Sequence, residues 1–163
     1  MNTVKELHVL HPWWCRPGRH GLLLAVSACA SPEPPAETHD ARSELLAADR
    51  AFAKSTEANG LEGWMSFFAD DAVRLVMGAE AIQGLPAVRE YDSRLFADTT
   101  LKLEWDPTDA GVFSDGRHGF TTGRYSLLSV SSAAYDTLQK GAYVTIWRRN
   151  EQGVWQVILD TGS

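Results

Sequence analysis

From residue 40 onward the apolar positions follow a helical period first and a strand period later. Leu45, Leu46, Ala48, Phe52 and Ala53 recur on one side of a helix, while Arg42, Glu44, Arg50 and Lys54 fall mostly on the other. Asn59-Gly60 supplies a stop signal. A second, short helix is expected over residues 61–69, clustering Trp64, Phe67 and Phe68, with Asp70-Asp71 ending it. Residues 72–77 then read as a strand, 78–84 as a loop, and 86–97 as a third helix opened by Pro86 near its first turn. The remainder alternates in the manner of strands, at 101–105, 110–113 and 119–130, followed by a Ser/Ala-rich turn. A closing hairpin comes last: Gly-Ala-Tyr-Val-Thr-Ile-Trp from Gly141 runs into a turn whose Gly153 can take positive φ, and Val-Trp-Gln-Val-Ile-Leu-Asp follows. On that last run Trp155, Val157 and Leu159 alternate with Gln156, Ile158 and Asp160, and neither set is clearly polar, which places the strand inside a sheet covered on both faces. Three helices followed by an antiparallel sheet make an α+β layer fold.

Composition narrows the partners. The chain has 163 residues, 44% of them hydrophobic, enough for one domain with a core of its own. Its formal charge is −6, and the first 28 residues hold Lys5, Arg16 and Arg19 against Glu6 alone, so the remainder is more acidic still. Such a balance repels phosphate backbones, and no basic stripe with interleaved aromatics offsets it, so nucleic acid is not an expected partner. The two cysteines, Cys15 and Cys29, both precede the periodic part, which therefore has neither a disulfide nor a thiolate nucleophile. No His-x-x-x-His or Cys-x-x-Cys spacing occurs, and no metal or cofactor is expected. His118 beside Asp115-Gly116-Arg117 reads as a solvated turn residue, and Ser126, Ser129, Ser131 and Ser132 lack the setting of a nucleophile.

The first residues read as an address. Arg16-Pro-Gly-Arg19 precedes Gly21-Leu-Leu-Leu-Ala-Val-Ser-Ala28-Cys29, a basic segment and a short apolar one ending in small residues, the pattern of an export signal. Val26-Ser27-Ala28-Cys29 resembles the bacterial lipobox, in which the cysteine is lipidated and becomes the first residue after cleavage; the competing reading is a signal cut nearby without lipid. The expected organisation is a signal peptide over 1–29 with Cys29 lipidated, a Pro-rich polar spacer over 30–39, and a folded domain over 40–163. Ala30 and Ser31 include no Asp, which by resemblance to enterobacterial lipoproteins implies the periplasmic face of the outer membrane, with the lipid as the only membrane contact.

Ala48-Asp-Arg-Ala-Phe52, Trp64-Met-Ser-Phe-Phe-Ala-Asp-Asp-Ala72, Thr122-Gly-Arg-Tyr125, Gly141-Ala-Tyr-Val-Thr-Ile-Trp147 and Trp155-Gln-Val-Ile-Leu-Asp160, in that order, resemble a bacterial family of SnoaL-like domains of unknown function. That family belongs to the nuclear transport factor 2-like, or cystatin-like cone, superfamily. The resemblance covers residues 40–163 and implies a strongly curved sheet wrapped round a long helix, a pocket at the open end, and often a dimer through the outer sheet face. The steroid isomerases of that superfamily use a tyrosine and two aspartates; matching their pattern puts these at Phe52, at Val76 and at or next to Ala142, so steroid isomerisation is not expected.

Strand parity supplies the other candidates. If Val76 faces the pocket then Arg74 does too; Gln156, Ile158 and Asp160 share the equivalent face of the last strand, and Phe120, Thr122 and Arg124 that of the long one. Phe52 brings Asp49 with it on the helix. The expected pocket thus holds Asp49, Arg74, Thr122, Arg124 and Asp160 among Phe52, Trp64, Phe68, Trp105, Tyr91 and Trp147. Either both aspartates pair with the two arginines in a network that holds helix to sheet, or one arginine is left for a carbonyl or anionic oxygen while Asp160 or Asp49 acts as a base. Three functions stay open: a non-catalytic envelope lipoprotein that binds a small, partly apolar molecule, a cofactor-independent cyclase- or isomerase-type enzyme acting on a carbonyl substrate, and a dimerising association module.

Overall fold

A computed structural model describes residues 36–130 and 135–163. The expected signal peptide, Cys29, most of the spacer and the Ser/Ala-rich turn lie outside the described residues. The elements run α1 (Ala36–Met65), β1 (Phe68–Leu75), β2 (Ile82–Gln83), α2 (Leu85–Phe96), β3 (Leu101–Val112), β4 (His118–Val130), β5 (Tyr135–Arg149) and β6 (Trp155–Gly162). One six-stranded sheet has the order β2-β1-β6-β5-β4-β3. It is α+β, as expected, and β6 lies in its interior.

Two of the three expected helices are one kinked element. Gly60 sits inside α1 at φ 56° and ψ −130°, a backbone closed to side-chain-bearing residues, so the helical path is broken there as expected and a second helical segment follows directly across the kink. The second segment stops at Met65, earlier than expected, and Asp70 and Asp71 lie within β1 instead of ending a helix. Asp71 accepts both Arg148 Nη1 (2.9 Å) and Nη2 (2.7 Å), tying β1 to β5. The sheet is not wholly antiparallel: β1 and β6 run parallel, because α2 and the β3–β5 meander intervene between them. The two short strands expected at 101–105 and 110–113 are one, with its register shifted between Pro107 and Asp109; Pro107 cannot donate to the ladder and the strand bends there.

The core is the concave side of the sheet against α1. Leu45, Asp49, Phe52 and Thr56 form the buried ridge of the helix at helical spacing. Phe52 contacts Trp64, Phe67, Phe68, Trp105 and Trp147 at centroid separations from 4.7 to 6.0 Å, in tilted and edge-on pairs. Glycines admit the aromatic rings. A Cβ on Gly123 would fall 2.6 Å from the Tyr143 ring, and one on Gly141 2.8 Å from that of Tyr125, so each tyrosine lies flat over a glycine on the neighbouring strand.

Candidate functional site

Between α2 and the strand ends of the concave face a cavity of about 300 Å³ opens to solvent. Phe52 of α1, Trp64 beyond the kink, Leu103 and Trp105 of β3, and Tyr125 and Leu127 of β4 wall it. Tyr143 and Thr145 of β5 and Asp160 of β6 form the strand side, Arg74 lies on β1 with Val76 just beyond it, and Tyr91 and Leu95 of α2 close the opposite edge. Met77 and Leu75 are exposed at the rim. Six aromatic rings and few polar groups make a site for a compact, largely apolar molecule.

The polar groups form two sets. In the first, one guanidinium lies between two carboxylates: Arg74 Nε donates to Asp92 Oδ1 at 3.3 Å, and Nη1 donates to Asp160 Oδ2. The remaining oxygens are also engaged, Asp92 Oδ2 by Trp64 Nε1 (2.8 Å) and Asp160 Oδ1 by Thr145 Oγ1 (2.6 Å). Arg74 Nη2 has no partner among the described residues. The guanidinium carbon is 5.5 Å from the Trp64 ring centroid. Burial opposes the charge of Arg74, but Asp160 and Asp92 outweigh it and hold the guanidinium more firmly protonated than usual. Burial pushes the Asp160 carboxyl above the ordinary carboxylate range, although Arg74 and Thr145 pull it down.

The second set surrounds Asp49, fully buried on α1. Trp105 Nε1 donates to Oδ1 and Tyr143 OH to Oδ2, each at 2.8 Å, and the Thr121 hydroxyl also bonds the carboxylate. Thr121 Oγ1 accepts in turn from Trp147 Nε1 at 2.8 Å. Among the described residues no cation reaches Asp49; burial raises its pKa and the three neutral donors only partly offset that. The Tyr143 phenol is itself pushed far up by burial and by the adjacent Asp49.

Of the expected site residues, Arg74, Asp160, Phe52, Trp64, Trp105 and Tyr91 line the cavity. Five do not. Asp49 lies behind the wall, reached only through Trp105 and Tyr143. Phe68 and Trp147 are core residues. Thr122 and Arg124 lie on the other face of the sheet, because on β4 it is Gly119, Thr121 and Gly123 that are buried. The expected salt network therefore has one arginine, not two, and its second carboxylate is Asp92 instead of Asp49. Asp160 arrives without the strand-mates assigned to it: a register shift between Ile146 and Trp147 leaves Ile158 as the extra residue of β6, and parity flips after it, so Val157 and Asp160 both face inward while Gln156 does not.

Asp92, Tyr143, Thr145, Tyr125 and Gln139 were missed. Asp92 had a legible signal, a carboxylate four residues from each of Val88 and Phe96 on the apolar stripe of α2. Tyr125 and Tyr143 had one too, each an aromatic two residues from a glycine on a strand. No group of His, Cys, Asp and Glu able to hold a metal ion occurs among the described residues.

No protein-family model matches the sequence, and no curated protein does. Solved structures do match. A nuclear transport factor 2-like protein with a cystatin-like fold from Novosphingobium aromaticivorans superposes with a TM-score of 0.58 at 16% identity, over 76% of this chain and 81% of that one. A protein from Catenulispora acidiphila in complex with S-DNPA gives 0.61 at 11% identity, over 74% and 90%. A protein from Thiobacillus denitrificans assigned as a calcium/calmodulin-dependent protein kinase type II association domain gives 0.58 at 19%, over 72% and 91%. At these identities the likeness speaks for architecture alone: with its six-stranded sheet and helices the chain folds as a nuclear transport factor 2-like, cystatin-like cone.

Proposed function

We propose that this is a binding protein whose cone cavity takes a small, partly apolar molecule without transforming it, and that a lipid on Cys29 tethers it to the periplasmic face of the envelope. The observation that carries the reading is the state of the buried acids beside the cavity. Both oxygens of Asp160, of Asp92 and of Asp49 already accept hydrogen bonds, so they are committed to holding the walls in place. What is left to a ligand is an aromatic enclosure with the Arg74–Asp160 pair at one side. The matching Catenulispora protein, solved with S-DNPA, is consistent with a cone that holds a small molecule. Native mass spectrometry of the full chain from its own host's envelope extract should show a retained small molecule and a lipid-modified Cys29. Leu127→Trp, which fills the cavity without touching the ion pairs, should lose the molecule with the fold intact. Retention of the same molecule in that variant would place it elsewhere and sink the reading.

One observation favours a catalytic alternative. Asp160 lines the cavity with its carboxyl raised by burial, beside an arginine whose Nη2 is available to a carbonyl oxygen, as a cofactor-independent cyclase or isomerase would use them. Incubation with a cyclic ketone in D2O would then give exchange α to the carbonyl above the buffer rate, at least about tenfold slower in Asp160→Asn. Exchange at the buffer rate removes this alternative.

A further inference from the structure

The aromatic walls and the buried carboxylates are connected, and the connection bears on what the cavity holds. Three of the rings lining it donate their polar hydrogens to carboxylates behind them: Trp105 and Tyr143 to Asp49, and Trp64 to Asp92. A ring whose N–H or O–H is drawn to an anion gains electron density on its face, where the aromatic quadrupole is already negative. Phe52 lies between them, 4.7 Å from Trp64 and 4.9 Å from Trp105. The charges point the same way. Asp49, Asp92 and Asp160 are all buried, and among the described residues the cation paired with them is the part-buried Arg74. Arg74 already lies over the Trp64 ring and pairs with Asp92 and Asp160 through Nε and Nη1. Among the described residues no cation stacks on Trp105 or Tyr143, the two rings backed by Asp49.

From this we propose that the ligand is a cation: an alkylated ammonium on a compact apolar body, its charge against the faces of Trp105 and Tyr143 and its apolar part toward Leu103 and Leu127. This rests on the reading of the cavity as a binding site. The ammonium needs no direct ion pair, because Asp49 acts through the two rings it polarises. The groups facing Asp49 are Trp105 of β3, Thr121 of β4 and Tyr143 of β5, with Asp106 and Asp160 as the charged neighbours.

Three probes of similar shape test the proposal on the full-length protein by tryptophan fluorescence titration and calorimetry: benzyltrimethylammonium, its uncharged isostere neopentylbenzene, and phenylacetate as an anion. The ammonium should bind at least about tenfold more tightly than the isostere, and the anion not at all. Asp49→Asn, checked by circular dichroism for an intact fold, should remove most of that preference and leave the isostere's affinity unchanged. Equal affinity for ammonium and isostere, or tighter binding of the anion, would overturn the cation proposal and keep the binding site. If none of the three binds, or if Leu127→Trp leaves their binding unchanged, the cavity is not the site and both readings fail.

Discussion

Asp49 and Asp160 each bind a proton more tightly in the folded chain than the ordinary value of 3.8 allows, chiefly because burial disfavours the charged form. Their contribution to stability is therefore fully present below the unfolded value and is lost as pH rises through the raised folded value. The exposed Asp115 works in the opposite sense: hydrogen bonding, above all from His118 and then from the backbone of Arg117 and His118, holds it at about 2. Its share is present above the ordinary value and lost as pH falls toward about 2. Urea unfolding across the acid range should thus show two separable slopes, with Asp49→Asn and Asp160→Asn flattening the loss on the rising side and Asp115→Asn the loss on the falling side. An unchanged profile in Asp160→Asn would mean that the Arg74 pairing fully compensates its burial. Arg74 was legible from strand parity, whereas Asp160 faces inward only through the bulge at Ile158; Thr122 and Arg124 were misplaced because the argument on β4 began from the wrong residue and a one-residue error inverts a whole strand.

Among the elements, β4 and β5 are matched to each other through glycine. Gly123 is paired with Tyr143, and a Cβ there would meet the Asp106 carbonyl at 2.2 Å as well as the tyrosine ring. Gly123→Ala should therefore cost about 1–3 kcal/mol by overpacking and lift the Tyr143 hydroxyl off Asp49. Chemical denaturation measures the first effect, and a blue-shifted tyrosine absorption on loss of the charge-assisted hydrogen bond measures the second. If stability is unchanged, the tyrosine has room that the geometry denies it. The sequence showed the glycines but not their purpose, since which strand faces which depends on pairing between segments far apart. The stop signal at Asn59-Gly60 was legible because it is local, with Gly60 breaking the helical backbone, while the packing of Trp64 against Phe52, Phe68 and Trp105 that holds the second segment close behind it was not.

For the whole molecule the outer sheet face is the remaining question. Val73, Leu159, Ile146 and Phe120 stand side by side across β1, β6, β5 and β4, with Phe113 6.1 Å from Phe120 and Val144 exposed beside them. If the association-module reading holds, this half-buried four-strand apolar ladder is where a second copy of the chain would sit. Sedimentation should then give twice the monomer mass, and Ile146→Lys should weaken the dimer at least about tenfold. A monomer at high micromolar concentration would remove that reading while leaving the cavity untouched.

The sequence by itself determined the α+β class, the closing hairpin, the place of the last strand inside the sheet and the aromatic character of the core, because periodicity and turn residues are local properties. It also placed Phe52, Trp64, Arg74, Trp105 and Asp160 at one cavity. Only the tertiary structure decided that β1 runs parallel to β6, that a bulge at Ile158 aims Asp160 inward, that Arg74 takes Asp92 as its second partner, and that Asp49 stands behind the wall. Each of these depends on register between segments distant in the chain, and register is fixed by the fit of the assembled sheet around its helix, which no local pattern records.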